Sequence, residues 1–188
     1  GDGTGFGMLL LYALIAVFVG GLMVGRTPEY LGKKVGKDQM RWAAYALISH
    51  PAVILVPVVI AFVAGFTGPA LGTVGPNLQV NASQFTILLY EFTSEAANNG
   101  SSMGPITDGT LFFNLAGSAV MLIGRFFPMI AMLAVGSLFS REDPIPNSAG
   151  TLQTNSATFA LFLTLLLVII SGLLFLPVLA LGPLAQWW

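Results

Sequence analysis

The run Thr93–Met103, TSEAANNGSSM, holds residue types that can bind a small cation through backbone oxygens. Stripping the water from an ion such as potassium demands replacement oxygens, which closely packed carbonyls supply. Turning successive carbonyls toward one axis requires unusual φ and ψ values. Gly100 takes positive φ freely because it has no Cβ. Asn98 and Asn99 are the next most tolerant of left-handed geometry, and their side-chain amides can anchor a loop. The string Asn98 to Ser101 is thus a candidate cation site. Asn-Asn-Gly-Ser is equally a common turn former, and the residue types alone leave both readings open.

The elements around this run sharpen the choice. Gln84 to Phe92 (QFTILLYEF) has a helical pattern but crosses only about half of a roughly 30 Å hydrocarbon core. A Gly- and Pro-rich loop, GPALGTVGPNLQVN, precedes it and the polar run follows it. A half-helix, then irregular backbone, between two full spans describes a re-entrant pore loop. Such backbone survives at membrane depth only where it lines water or is buried in protein. An external amphipathic helix and loop fits the pattern as well. In the pore reading, the half-helix aims the negative end of its dipole at the candidate site, which favours a cation.

Four longer apolar runs frame that segment: Phe6 to Val24, Trp42 to Phe66, Leu111 to Phe139 and Phe159 to Leu181. Each is long enough to cross a bilayer at about 1.5 Å per residue. Composition demands a membrane independently. Of 188 residues 55% are hydrophobic and only 8% charged, against about 25% charged in soluble domains. The predicted fold is an all-α integral membrane protein with about four transmembrane helices, plus one re-entrant pore half-helix carrying the candidate loop. The net charge of −1 leaves no basic field for nucleic acid. With no cysteine and one histidine, a transition-metal site would need an unusual all-oxygen shell.

Charge also sets orientation. Arg26, Lys33, Lys34, Lys37 and Arg41 lie in the first loop, and Arg141 in the loop after the third span. By the positive-inside rule these two loops are cytoplasmic, while the candidate loop and the chain end, Trp187 and Trp188, face outward. The Lys33, Lys34, Lys37 cluster is a solvated topology signal or a contact for anionic lipid or a partner subunit. Arg125 lies inside the third span, where a charge costs at least about 2.5–3.5 kcal/mol. It faces a cavity with a functional role, or it pairs with a carbonyl or acid elsewhere. His50 precedes Pro51 and, with Pro57, marks a place where the second span can kink. Gly20, Gly21 and Gly25 permit close helix approach. The opening Gly-Asp-Gly-Thr-Gly-Phe-Gly reads as a loop from within a longer chain.

Particular segments resemble the KdpA family of potassium-transporting subunits. GGLMVGRTPEYLGKKV (Gly20–Val35) is similar to its cytoplasmic loop, and TSEAANNGSSM to the filter of its fourth pore repeat. FFNLAGSAVMLIGRF (Phe112–Phe126), AGTLQTNSATF and FLPVLALGPLA are similar to the following span, the last cytoplasmic loop and the final helix. The resemblance runs through essentially the whole chain. It implies a closing helix of the preceding repeat over 1–24 and a cytoplasmic loop over 25–41. A span–pore helix–filter–span repeat over 42–140 follows, then a cytoplasmic loop over 141–157 and a C-terminal transmembrane helix over 158–188. The potassium filter would be Ala97, Asn98, Asn99, Gly100 and Ser101. Glu95 departs from the small residue usual in the family; it concentrates cations at the outer mouth or marks a looser match. Arg125 would lie on the inner side of the filter, opposing leakage, and Arg26, Lys33 and Lys34 would belong to the cytoplasmic loop.

The resemblance further implies potassium as the substrate ion and a bacterial inner-membrane location. The implied partners are the remaining pore repeats, membrane lipid, an ATPase subunit resembling KdpB and small subunits resembling KdpC and KdpF. The chain carries neither a GxxxxGK[ST] loop nor an Asp-Lys-Thr-Gly-Thr motif, so no bound ATP is expected and the chain is not an enzyme by itself. Two other functions compete with ion conduction. One is a non-conducting structural membrane anchor. The other is a lipid-modifying enzyme, for which Glu91, Glu95 and Asp108 form only a weak set of acids.

Overall fold

A computed structural model describes residues 4–64, 82–103, 109–146, 152 and 154–185. Its elements in chain order are α1 (Thr4–Met23), β1 (Glu29–Tyr30), β2 (Lys33–Lys34), α2 (Lys37–Val63), α3 (Ala82–Ala96), α4 (Leu111–Ser140) and α5 (Ala157–Ala185). The protein is an all-α membrane protein. Helices α1, α2 and α4 are each long and apolar enough to cross a bilayer. Helix α5 has 29 residues, apolar over Ala157–Leu173. Helix α3, at 15 residues and about 22 Å, is too short to span. The Gly- and Pro-rich loop before it, Asp108 and both terminal tryptophans lie outside the described residues.

Helix bounds follow the spans expected from hydropathy except at three ends: the start of α2, the end of α3 and the end of α5, which runs to Ala185 instead of Leu181. Helix α2 starts at Lys37, not Trp42, because Gly36 caps it: the Gln39 side chain reaches back and accepts from the Gly36 N–H at 3.1 Å. It then runs on through Pro51 and Pro57. Helix α3 continues past Phe92 through Thr93, Ser94 and Glu95, because its end is set by a backbone cap beyond these residues. The loop before α2 contains a short hairpin that the sequence pattern did not suggest. Its strands pair Glu29 with Lys34 and Tyr30 with Lys33. The turn residues Leu31 and Gly32 both have positive φ, 53° and 74°, as a two-residue hairpin loop requires.

Contacts divide the chain into two compact units. One comprises Asp2–Leu47 and Pro128–Ser171. Its core holds Leu11, Leu14, Val17, Val35, Val135 and Phe159, all buried. The hairpin is fixed to the end of α4 by the Lys33 ammonium, which donates to the Phe139 carbonyl at 2.7 Å, and the first turn of α2 is tied nearby by Gln39 Nε2, which donates to Glu142 Oε1 at 3.1 Å. The Ile145 N–H donates to the Gly32 carbonyl at 2.8 Å. Lys34 and Arg26 are exposed beside it. A lysine at the C-terminal end of a helix complements its dipole.

The other unit comprises Ile48–Phe127 and Gly172–Trp188, together with Gly1. Helix α3 buries Leu88, Phe92 and Ala96, spaced at helical repeats. They pack with Ile54, Val58 and Ala61 of α2 and with Phe113 and Val120 of α4. Phe92 stacks on Phe113 with ring centroids 5.9 Å apart. Within a bilayer such rings gain by van der Waals packing and not by escape from water. The outer faces of these helices remain apolar, with Ile48, Leu115, Leu122 and Phe126 exposed, which suits a lipid-facing or protein-facing surface.

Candidate ion-binding loop

Everything in the candidate loop depends on how α3 ends. The Asn99 N–H donates to the Ser94 carbonyl and the Asn98 N–H to the Glu95 carbonyl, both at 2.9 Å. These are the paired bonds of a Schellman cap, with Asn98 in the left-handed position at φ 57°. Helix α1 ends in the same bonds, Arg26 to Gly21 and Gly25 to Leu22, with Gly25 at φ 67°. Gly100, two residues past Asn98, is also left-handed at φ 72°. The tolerance for positive φ expected of Asn98 and Gly100 is therefore used at both positions. Among the described residues, no backbone amide donates to the carbonyls of Ala97, Asn98, Asn99, Gly100 or Ser101.

Side chains hold both ends of this stretch. Asn98 Nδ2 lies 3.3 Å from the Ala96 carbonyl and 3.3 Å from the Met121 carbonyl of α4. Ser94 Oγ accepts from the Ser101 N–H at 2.8 Å and sits 2.9 Å from Ser101 Oγ. Tyr90 Oη is 3.1 Å from that same Ser101 Oγ. Ala97 is half-buried, while Asn99, Gly100 and Ser101 are exposed. With its C-terminal dipole directed here and no basic residue in its last turn, α3 gives the loop a negative character.

Helix α4 comes close because of two glycines seven residues apart on one face. A Cβ on Gly124 would stand 2.5 Å from the Ala96 carbonyl oxygen. A Cβ on Gly117 would collide with the Glu95 carboxylate. Glu95 therefore lays its carboxylate against α4, on the last turn of α3 and ahead of the candidate carbonyls. Arg125 directly follows Gly124 and is half-buried; among the described residues it forms no ion pair. His50, half-buried in α2, has no hydrogen-bond partner for Nδ1 among them either. Helix positions thus group Glu95, the Ala97–Ser101 stretch and Arg125 around one α3–α4 contact. Lys33 and Lys34 belong to the hairpin instead, and Arg26 to the cap that ends α1.

Sequence reasoning missed Ser94, Tyr90, Gly117 and Gly124. A serine seven residues from the amide it holds has no periodic signature, but the Gly117–Gly124 spacing was visible.

The family model described as potassium-transporting ATPase A subunit, KdpA, matches residues 1–188. The chain belongs to the KdpA family. A potassium-transporting ATPase potassium-binding subunit from Geobacillus kaustophilus is 44% identical over 187 residues, covering all of this chain and 32% of that protein. Its counterpart from Gloeobacter violaceus is 40% identical, covering all of this chain and 31% of its own length. The Streptomyces griseus counterpart is 41% identical over 189 residues, 99% of this chain and 32% of its own. The chain thus spans about a third of the curated KdpA relatives it matches.

Proposed function

We propose that this chain supplies one quarter of a potassium filter in the pore subunit of an ATP-driven potassium uptake complex. One observation carries the proposal. Five consecutive carbonyls, Ala97 to Ser101, follow a helix C-terminus with left-handed residues at two of them and no backbone amide among the described residues bound to any. Such a strand offers oxygens toward a dehydrated cation. The KdpA relatives are named as potassium-binding subunits, which supports potassium as the ion. Residues 42–140 form one span–pore helix–filter–span repeat, and the other repeats lie in the rest of the pore subunit. Hydrolysis of ATP belongs to a partner resembling KdpB, assisted by small subunits resembling KdpC and KdpF.

The complex sits in the bacterial inner membrane. The distribution of basic residues supports a cytoplasmic hairpin and a cytoplasmic loop after α4, with the filter loop and chain end outside. Arg125, beside the base of the loop, opposes axial passage of a cation and diverts it toward the ATPase subunit.

The test is Gly100→Ser in the complete complex. Space does not forbid the substitution, since nothing lies within 4 Å of a Cβ there. Only the φ of 72° penalises it, by about 1–2 kcal/mol. Relieving that strain through the loop raises half-saturating potassium roughly 5–30-fold and weakens exclusion of rubidium and ammonium. Unchanged kinetics and selectivity would leave the loop as a turn in a non-conducting anchor.

A further inference from the structure

Ser94 stands apart from the other polar residues of the candidate site because it never reaches the loop surface. It is 4% exposed, buried in the last turn of α3, yet it holds the far end of the carbonyl stretch. The cap bonds to Ser94 and Glu95 carbonyls fix where the loop begins, at Asn98 and Asn99. The Ser94 hydroxyl fixes where it stops, by accepting the Ser101 N–H at 2.8 Å. Tyr90, one helical turn earlier on the same face, braces the Ser101 hydroxyl at 3.1 Å. Entry and exit of the stretch are thereby pinned to one rigid turn.

We propose that Ser94 is a positioning residue for ion selectivity, with Tyr90 in support; this rests on the filter reading above. Where selectivity rests on the fit of the ion, a carbonyl ring discriminates between cations because its oxygens are held from moving apart to suit a different radius. Gly100 lies within the pinned stretch and resists little by itself. The restraint must come from outside the stretch, and the Ser94–Ser101 pair supplies it. The bonded ligand class is a dehydrated monovalent cation, which Ser94 governs without touching.

The experiment uses the complete transporting complex with Ser94→Ala, Ser94→Thr and Tyr90→Phe, and reads KM and kcat for potassium, rubidium and ammonium together with complex yield. Loss of the acceptor for a backbone N–H in Ser94→Ala raises KM for potassium about tenfold, the scale of one lost hydrogen bond. KM for rubidium rises less, so the ratio between the ions narrows, while kcat and yield hold. Ser94→Thr keeps the hydroxyl and restores the ratio; Tyr90→Phe shifts it in the same direction by a smaller factor. A Ser94→Ala complex with reduced yield and a preserved ion ratio would show a purely structural hydroxyl and overturn the proposal. So would a preserved ratio at full yield. Gly100→Ser separates the two levels: if it alters selectivity and Ser94→Ala does not, the filter stands and the role of Ser94 falls. If neither alters it, both fall.

Discussion

Adding one methyl group to Gly124 tests whether the α3–α4 contact sets the geometry of the loop. The new Cβ would meet the Ala96 carbonyl oxygen at 2.5 Å and Ala96 Cα at 3.0 Å, where ordinary contact begins at 3.4 Å. Both atoms are backbone, so no side chain can swing aside. The end of α3 must retreat from α4 by about 0.9 Å. Two opposed terms fix the net cost. Alanine is better than glycine within a helix by about 1 kcal/mol. Overpacking a tight contact costs about 1–3 kcal/mol. The net loss of stability is therefore small, about 0–2 kcal/mol, and the complex should assemble.

The displacement acts on the candidate loop. Ala96 immediately precedes the candidate carbonyls, and Asn98 is bonded to Met121 of α4. A retreat of the α3 end stretches that bond from 3.3 Å beyond useful length. We expect half-saturating potassium to rise about tenfold or more, equivalent to roughly 1.4 kcal/mol, with poorer exclusion of rubidium. The assay is potassium-stimulated ATP hydrolysis and ion competition in the complete complex, alongside yield. Gly136→Ala on the same helix is the control, since nothing lies within 4 Å of its Cβ. It gains helix propensity and should leave transport unchanged. Normal potassium dependence and yield in Gly124→Ala would refute the reasoning. Equal damage from Gly136→Ala would show that α4 tolerates no alanine for reasons unrelated to α3.

Two further outcomes are expected. Arg125→Met removes a charge whose field, at short range in low dielectric, is worth several kcal/mol before screening; the complex should still hydrolyse ATP but transport poorly or leak potassium, which flux and hydrolysis measured together will show, whereas low yield would mark a structural pair. Single cysteines at Lys34 and Asn147 should react only with reagents that reach the cytoplasm and one at Asn77 only from outside, in a chain that has no cysteine of its own; labelling at Lys34 from outside would invert the topology.

Legibility in the sequence followed the range of the forces involved. Long apolar runs announced α1, α2, α4 and α5 to within a few residues, because bilayer thickness demands length and apolarity together. Positive φ at Asn98 and Gly100 was legible because few residue types tolerate it. The start of α2 was not, since Gln39 capping Gly36 is one local bond amid a charged, unpatterned stretch. Nor was the extension of α3 to Ala96: Thr93, Ser94 and Glu95 are polar, and hydropathy ends a helix where its apolar face ends. Thr93 donates its hydroxyl back to the Leu89 carbonyl at 2.6 Å and stays helical. The hairpin escaped because its turn places Leu31 at φ 53°, where asparagine or glycine is the usual signal.

The left-handed residues at Gly25, Asn98 and Gly100 answer three different demands, and the difference bears on what the loop is for. Gly25 closes a helix and nothing more; its Cβ would meet open space, and glycine suffices for the cap. Asn98 closes α3 with the same pair of backbone bonds, so glycine would have served there too. Asparagine at positive φ gives up some backbone ease for a side chain that reaches the carbonyls of Ala96 and Met121. The tie adds about 0.5–1.5 kcal/mol of stability to any turn, and in a row of oxygens required to keep fixed separations it also holds their spacing. Gly100 then falls between the cap and the Ser94–Ser101 bond, with no atom within 4 Å to exclude a side chain. Its identity is demanded by backbone direction alone, a demand the Leu31–Gly32 turn makes as well, so what sets this loop apart is that Asn98 ties it to α4 and Ser94 holds Ser101.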